Sequence, residues 1–306
     1  MKNINIGKSG VYASEIALGC MRMAGIEKSE AEKVIKTSLE EGINFFDHAD
    51  IYGGGKSEEI FADAINMNPS IREKMIIQTK CSIVPGIMYD FSKEHILNSV
   101  DGSLKRLKTD YVDFLLLHRP DTLMEPEEVA EAFSKLYESG KVKYFGVSNH
   151  TPMQIELLNR YLNNKVIINQ LQFSIMHTGM IDAGLNMNIN NDAAIDRDGG
   201  VLEYCRLKDI TIQAWSPYQY GFFGGVFLDN DKFPELNKKI DEIAEKYGVT
   251  NTAIATAWIL RHPAKIQTIA GSMNTNRLKE ICAASNVNLT RQEWYEIYLA
   301  AGNKLP

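Results

Sequence analysis

The chain has 306 residues, 44% of them hydrophobic and 24% charged, and carries a formal net charge of −6. That balance is of an ordinary globular protein, long enough for one barrel domain and acidic enough to disfavour nucleic acid or an anionic membrane as a partner. No run reaches signal-peptide or transmembrane length, and Cys20, Cys81, Cys205 and Cys282 are scattered without framework spacing, so a reducing cytoplasmic setting is expected.

Residues 2–14 alternate around Gly7 and Gly10 and predict a β-hairpin. "SEIALG" (14–19) reads as a strand. It precedes a helix over "SEAEKVIKTSLEEG", with Ser29 as N-cap and Gly42 as stop. "NFFDHA", "SEEIFADAIN" and "MIIQTK" give strand, helix and strand. "SKEHILNSVDGSLKRLK" then places Ile96, Val100, Leu104 and Leu107 on one helical face. "YVDFLLLH" is a continuous apolar run, as in a strand buried on both sides. Helices over "EPEEVAEAFSKLYESG" and "TPMQIELLNRYL", the latter with Pro152 in its first turn, flank the strand "KYFGVS". "KVIINQLQ", "GGVLEYCRLK", "TIQAWS", "PELNKKIDEIAEKYG", "TNTAIATAWILRH", "IQTIAGS" and "NTNRLKEICAA" continue the alternation, and "TRQEWYEIYLA" adds a last helix.

About eight strand–helix units predict a single (β/α)8 TIM barrel domain over residues 1–306, with an N-terminal hairpin and an extra C-terminal helix. An open doubly wound sheet would need a Gly-rich first turn, and "LGCMRMAGIEKS" has no G-x-G-x-x-G. Two long loops, the weakly periodic 173–198 and the glycine- and aromatic-rich 218–233, follow the sixth and seventh strands and fall on the face where barrel sites form.

Strand ends converge on one mouth of such a barrel. Read in order they supply Asp47, Asp50 and Tyr52; Lys80; His118; Ser148 and Asn149; Asn169 and Gln170; Trp215 and Ser216; and Gly271 and Ser272, with Arg277 a turn later. Singly, each has a bland reading as a cap, a core histidine or a packed tyrosine. Together, Asp47, Tyr52, Lys80 and His118 form a proton-donating set. A lysine ammonium lowers a tyrosine's pKa, a carboxylate holds the lysine, and a neutral histidine donates to a substrate oxygen. No side chain supplies a hydride, so a cofactor is required.

The runs "GINFFDHADIYGGGKSEE", "TK", "LLLH", "GKVKYFGVSNH", "NQLQFS", "AWSP" and "AGSMNTNRLKE" resemble the aldo-keto reductase superfamily from about residue 6 to residue 285. Within it, the chain is similar to a bacterial oxidoreductase branch near the potassium-channel β-subunit type. The resemblance implies NADP(H) bound without a Rossmann domain, in preference to NAD(H), and a small-molecule carbonyl substrate. It implies Tyr52 as general acid, tuned by Asp47 and Lys80, and His118 orienting the carbonyl. Ser148, Asn149 and Gln170 would hold the carboxamide and Trp215 would stack on the nicotinamide. The backbone at Gly19, Cys20, Met21 and Ser216 would line the cofactor path, and Ser272 and Arg277, beside Gly271, would bind the ribose phosphate.

The chain departs from many relatives in having Gly271 where they carry lysine and Ile281 where they carry asparagine. It also ends soon after the last helix, which implies an open pocket. Phe222, Phe223, Phe227, Met21, Met23 and Met176 read equally as pocket wall or as loop packing. Gly53-Gly54-Gly55-Lys56-Ser57 fails as a phosphate loop because Asp50 stands where its first glycine belongs, and reads instead as a flexible turn. Ser57 and Glu58 are not assigned to the cofactor. A metal-dependent hydrolase using Asp47, His48, Asp50, His118, His150 or His177 conflicts with Lys80 among its ligands. An NADP(H)-binding sensor with slow turnover is the alternative function, and a monomer is expected.

Overall fold

A computed structural model describes residues 1–305 of the chain. The strands of the barrel are β1 Ile16–Gly19, β2 Phe45–Asp47, β3 Ile76–Cys81 and β4 Val112–Leu117. They continue as β5 Val142–Ser148, β6 Val166–Gln172, β7 Thr211–Trp215 and β8 Gln267–Ala270. Each pairs in parallel with the next in sequence, and Ile269 of β8 opposite Ala17 of β1 closes the ring. Every residue of β4 is buried, because helices cover its outer side and barrel side chains its inner one.

The expected helical faces point inward: Ile96, Val100, Leu104 and Leu107 of helix Lys93–Leu107 are all buried, and Ser92 caps that helix through the His95 N–H at 3.3 Å. The hairpin pairs Asn3–Asn5 with Tyr12–Ser14. It is pinned to the bottom of the barrel, since the Gly7 N–H donates to Thr211 Oγ1 at 2.8 Å and a Cβ on Gly7 would lie 2.4 Å from Ile167 Cβ.

Two expectations need correction. Helix Lys28–Glu40 begins one residue before Ser29, with Glu27 in extended conformation at the cap position and no side-chain cap bond. Segment 173–198 is not wholly irregular. It contains helix Gly179–Leu185, whose Asp182 accepts from Tyr298 Oη of the last helix at 2.7 Å. That last helix, Arg291–Ala300, opens with a capping box between Thr290 and Glu293. Its Trp294 stacks on Trp258 of helix Asn251–Leu260 at 4.6 Å and 6°, and each indole N–H donates to the other residue's carbonyl at 3.0 Å. Among the described residues no helix is long and apolar enough to cross a membrane.

Candidate active site

Asp47 ends β2 with its carboxylate inside the barrel mouth, 2% exposed. Its Oδ1 accepts from Lys80 Nζ at 2.6 Å, Gln78 Nε2 at 2.6 Å and Gln170 Nε2 at 3.1 Å. Lys80 on β3 is fully buried, yet its three N–H groups all find acceptors: Asp47 Oδ1, the His48 carbonyl at 2.8 Å and Tyr52 Oη at 3.2 Å. Burial works against the ammonium, but Asp47 and Tyr52 outweigh it and hold the Lys80 pKa above its ordinary value.

Tyr52 is delivered by a short left-handed turn in which Gly53, Gly54 and Gly55 have φ of 60°, 65° and 94°. A Cβ on Gly53 would fall 2.4 Å from Ala24 Cβ, and one on Gly55 2.8 Å from Arg106 Cδ. The turn is thus packed at Gly53 and at Gly55, whereas a side chain at Gly54 would meet nothing within 4 Å. Glu58 just beyond is committed elsewhere, accepting from Thr79 Oγ1 at 2.6 Å and pairing with Arg106 Nε at 2.7 Å. The Tyr52 ring meets the His118 ring edge-on at 5.9 Å. Burial raises the Tyr52 pKa; Lys80 pulls it back only in part, so the net lowering expected from the sequence is not found.

His118, just past β4, is fixed by its backbone N–H to the Cys81 carbonyl at 2.9 Å and Ser82 Oγ at 3.0 Å. Burial, with Lys80 and Arg119 nearby, holds its pKa well below the usual histidine range, so the ring is neutral; its Nδ1 is buried without a partner. Asn149 and Ser216 both adopt left-handed φ, 61° and 51°, at the ends of β5 and β7. The Asn149 N–H donates to the Gln170 carbonyl, as does Ser148 Oγ at 2.8 Å, and Asn149 Oδ1 accepts from Trp215 Nε1 at 3.1 Å, which sets the plane of the indole.

These groups open on a cavity of about 560 Å³. Of the residues expected from sequence, Gly19, Met21, Asp47, Tyr52, His118, Ser148, Asn149, Gln170, Trp215, Ser216, Gly271, Ser272 and Arg277 line it. Lys80 lies beneath its floor. Cys20 is turned away, fully buried with Sγ 3.7 Å from the Leu18 carbonyl, because successive residues leaving β1 point to opposite sides. Met21, Phe222 and Phe223 are cavity wall, whereas Met23 and Phe227 are core and Met176 packs on it.

Sequence reasoning missed Arg119 and Arg22. Arg119 lines the cavity beside His118, with its guanidinium carbon 5.9 Å from the Trp215 ring centre; its place directly after a strand-end histidine was the available signal. Arg22 arrives from the β1 loop, and its Nη1 donates to the Gly271 carbonyl at 3.1 Å. No local pattern announces it. Of the other histidines named as candidate ligands, His48 and His150 stay in the core, edge-on to Phe61 at 4.6 Å and stacked on Phe91 at 6.0 Å, while His177 is exposed. Among the described residues no three His, Cys, Asp or Glu side chains gather as metal ligands.

A profile of the aldo/keto reductase family matches residues 15–300. The chain belongs to the aldo/keto reductase family. A 6-dehydroglucose reductase of Novosphingobium aromaticivorans is 36% identical, over 98% of this chain and 96% of its own length. A putative voltage-gated potassium channel subunit beta of Schizosaccharomyces pombe is 27% identical, over 90% of this chain and 85% of its own. Among solved structures, a thermostable aldo-keto reductase in complex with the inhibitor epalrestat superposes with a TM-score of 0.79 at 26% identity, covering 98% of this chain and all of that one. The closed barrel found here is that of an aldo/keto reductase.

Proposed function

We propose that the chain is an NADPH-dependent oxidoreductase that reduces an aldehyde or ketone to an alcohol, with Tyr52 as the proton donor. One observation carries this reading. All three Lys80 N–H groups are spent and one is given to Tyr52 Oη, so the phenol accepts from below and its own proton is free to face the cavity. The neutral His118 beside it can donate to the same carbonyl oxygen as charge grows there. Arg119 adds donors at the mouth that suit a hydroxylated, sugar-like carbonyl, the kind of substrate that the name of the Novosphingobium relative implies.

The cavity fits a nicotinamide dinucleotide. It offers the flat face of Trp215, whose plane Asn149 fixes, and polar edges at Ser148, Asn149 and Gln170. A reduced nicotinamide bound there supplies the hydride. A second hollow at the far end is lined by Arg22, Ser272, Asn274 and Arg277, a donor set suited to a ribose phosphate, with Glu280 its one carboxylate. Where many relatives carry lysine, this chain has Gly271, but Arg22 Nη1 lies 3.4 Å from the point where a side chain at 271 would begin. Arg22 thus offsets the missing cation, which favours NADPH over NADH. Four buried free cysteines accord with a cytoplasmic setting, and a monomer is the proposed state.

The test is NADPH consumption with an activated aromatic aldehyde, wild type against Tyr52→Phe. Turnover is expected to fall by about 100- to 10,000-fold with cofactor affinity kept. A Tyr52→Phe chain that turns over at the wild-type rate would falsify the assignment. If the wild type binds NADPH but reduces no carbonyl, the sensor reading, to which the channel-subunit relative lends weight, replaces it.

A further inference from the structure

Four buried glutamines, none of them hydrogen-bonded to Lys80 or Tyr52, link Asp47 to the bottom of the barrel. Gln170, Gln213 and Gln267 stand in register on β6, β7 and β8, and Gln78 is opposite Asp47 on β3. All are at most 2% exposed. Burying four amides in place of apolar side chains is costly unless each hydrogen-bonding group is used, so their direction matters.

That direction follows from the two ends of the chain of bonds. At the bottom, the Ser14 carbonyl can only accept, so Gln267 must present Nε2 to it, at 2.7 Å. Gln267 Oε1 then faces Gln213, whose Nε2 donates to it at 2.8 Å. Gln213 is left to offer Oε1 upward, where it accepts from Gln78 Nε2 and Gln170 Nε2, both at 2.9 Å. At the top, the Asp47 carboxylate also only accepts, and takes the remaining N–H of the same two amides. Both donors of Gln170 are thereby consumed. Its Oε1 is the one polar atom of the side chain left for whatever enters the cavity. Gln78 Oε1, by contrast, is buried without a partner, a cost the arrangement accepts to keep both Gln78 N–H groups on Asp47 and Gln213.

We propose that Gln213 is a positioning residue that transmits the polarity of the Ser14 carbonyl up the barrel and presents Gln170 to the cofactor solely as a hydrogen-bond acceptor. The inference rests on the reading of the cavity as a nicotinamide site. An acceptor-only Gln170 selects a ring substituent that bears an N–H, the carboxamide, over one that does not. Without Gln213 the Gln170 amide loses one of its two restraints and can turn, so that the selection fades.

The test is calorimetric binding of NADP⁺ and of its 3-acetylpyridine analogue, in which a methyl group replaces the amide NH2, to wild type, Gln213→Met and Gln213→Glu. Wild type is expected to prefer the carboxamide by about tenfold, the cost of leaving a built acceptor unmet. Gln213→Met should lower that ratio to about twofold or less. Gln213→Glu should restore it, because a buried protonated carboxyl accepts through its carbonyl oxygen and donates through its hydroxyl as the amide does. Simple loosening of the barrel would weaken both ligands alike and leave the ratio unmoved. Gln213→Leu, also apolar and close in volume, replaces Gln213→Met should the latter not fold, with the same expected loss of preference. A folded variant that keeps the wild-type ratio, or a wild type without preference, overturns the proposal and leaves the functional reading standing. A wild type that binds neither dinucleotide overturns that reading itself.

Discussion

Asp50 sits two residues before the proposed acid, with Oδ1 buried and unpartnered. Burial and the neighbouring Glu58 carboxylate, against a smaller pull from Arg106, push its pKa from 3.8 up to about 7. A carboxyl whose pKa is raised on folding contributes stability that is full below pH 3.8 and is lost as pH rises through about 7. Asp50→Asn should therefore stabilise the fold by about 1–3 kcal/mol at pH 8 and by less at pH 5, read from thermal unfolding at the two pH values. An equal shift at both would sink this account. At this scale, legibility depended on position. Asp47, Lys80 and His118 stand at or beside strand ends, where topology alone directs side chains to the mouth, and Tyr52 follows in the turn after β2. Gln78 and Gln213 lie two residues before Lys80 and Trp215, so the strand period of two put them on the same inner face, yet an amide has no charge to flag it as functional. The net rise in the Tyr52 pKa was beyond reach, because burial in the assembled site, not the neighbouring residue type, decides its sign.

Among elements, the turn after β2 makes the sharpest prediction. Gly53 and Gly54 share a left-handed φ, but only Gly53 faces an obstacle, the Ala24 side chain; a Cβ on Gly54 meets nothing within 4 Å. Gly54→Ala should cost about 1 kcal/mol for backbone strain alone, and Gly53→Ala distinctly more, with a loss of turnover as Tyr52 is displaced. Denaturant midpoints and kcat for the pair check this, and equal effects would remove the packing argument. The barrel strands and the helix facing them through Ile96, Val100, Leu104 and Leu107 were legible because their apolar spacing is unbroken. Helix Gly179–Leu185 was not. Its two glycines weaken any periodic signal, and its Asp182–Tyr298 bond spans 116 residues of sequence. The cap of helix Lys28–Glu40 lies two residues before the expected one: Ser29 has the right chemistry for a cap, but the backbone turns at Glu27.

For the molecule as a whole, buried histidines set the response to acid. Burial lowers His48 to about 3, and His150 and His262 to about 4, and holds His118 well below its usual range. A histidine pKa lowered on folding gives stability that is complete above about 6.5 and is lost as pH falls toward the folded value. Set against the one proton that Asp50 takes up in the folded state, these four histidines alone should have unfolding near pH 5 bind about three protons, and His177, also lowered by desolvation, adds to that uptake. The slope of unfolding free energy against pH tests this, and a flat profile between pH 7 and 5 would contradict it. The tryptophans, finally, divide the molecule optically. Trp258 and Trp294, buried and nearly parallel at 4.6 Å, form a coupled chromophore pair whose near-ultraviolet circular dichroism reports whether the last helix is seated on the barrel. Trp215 alone lines the cavity, so emission that acrylamide can quench belongs mainly to it, and the chain carries separate native probes for its scaffold and its mouth.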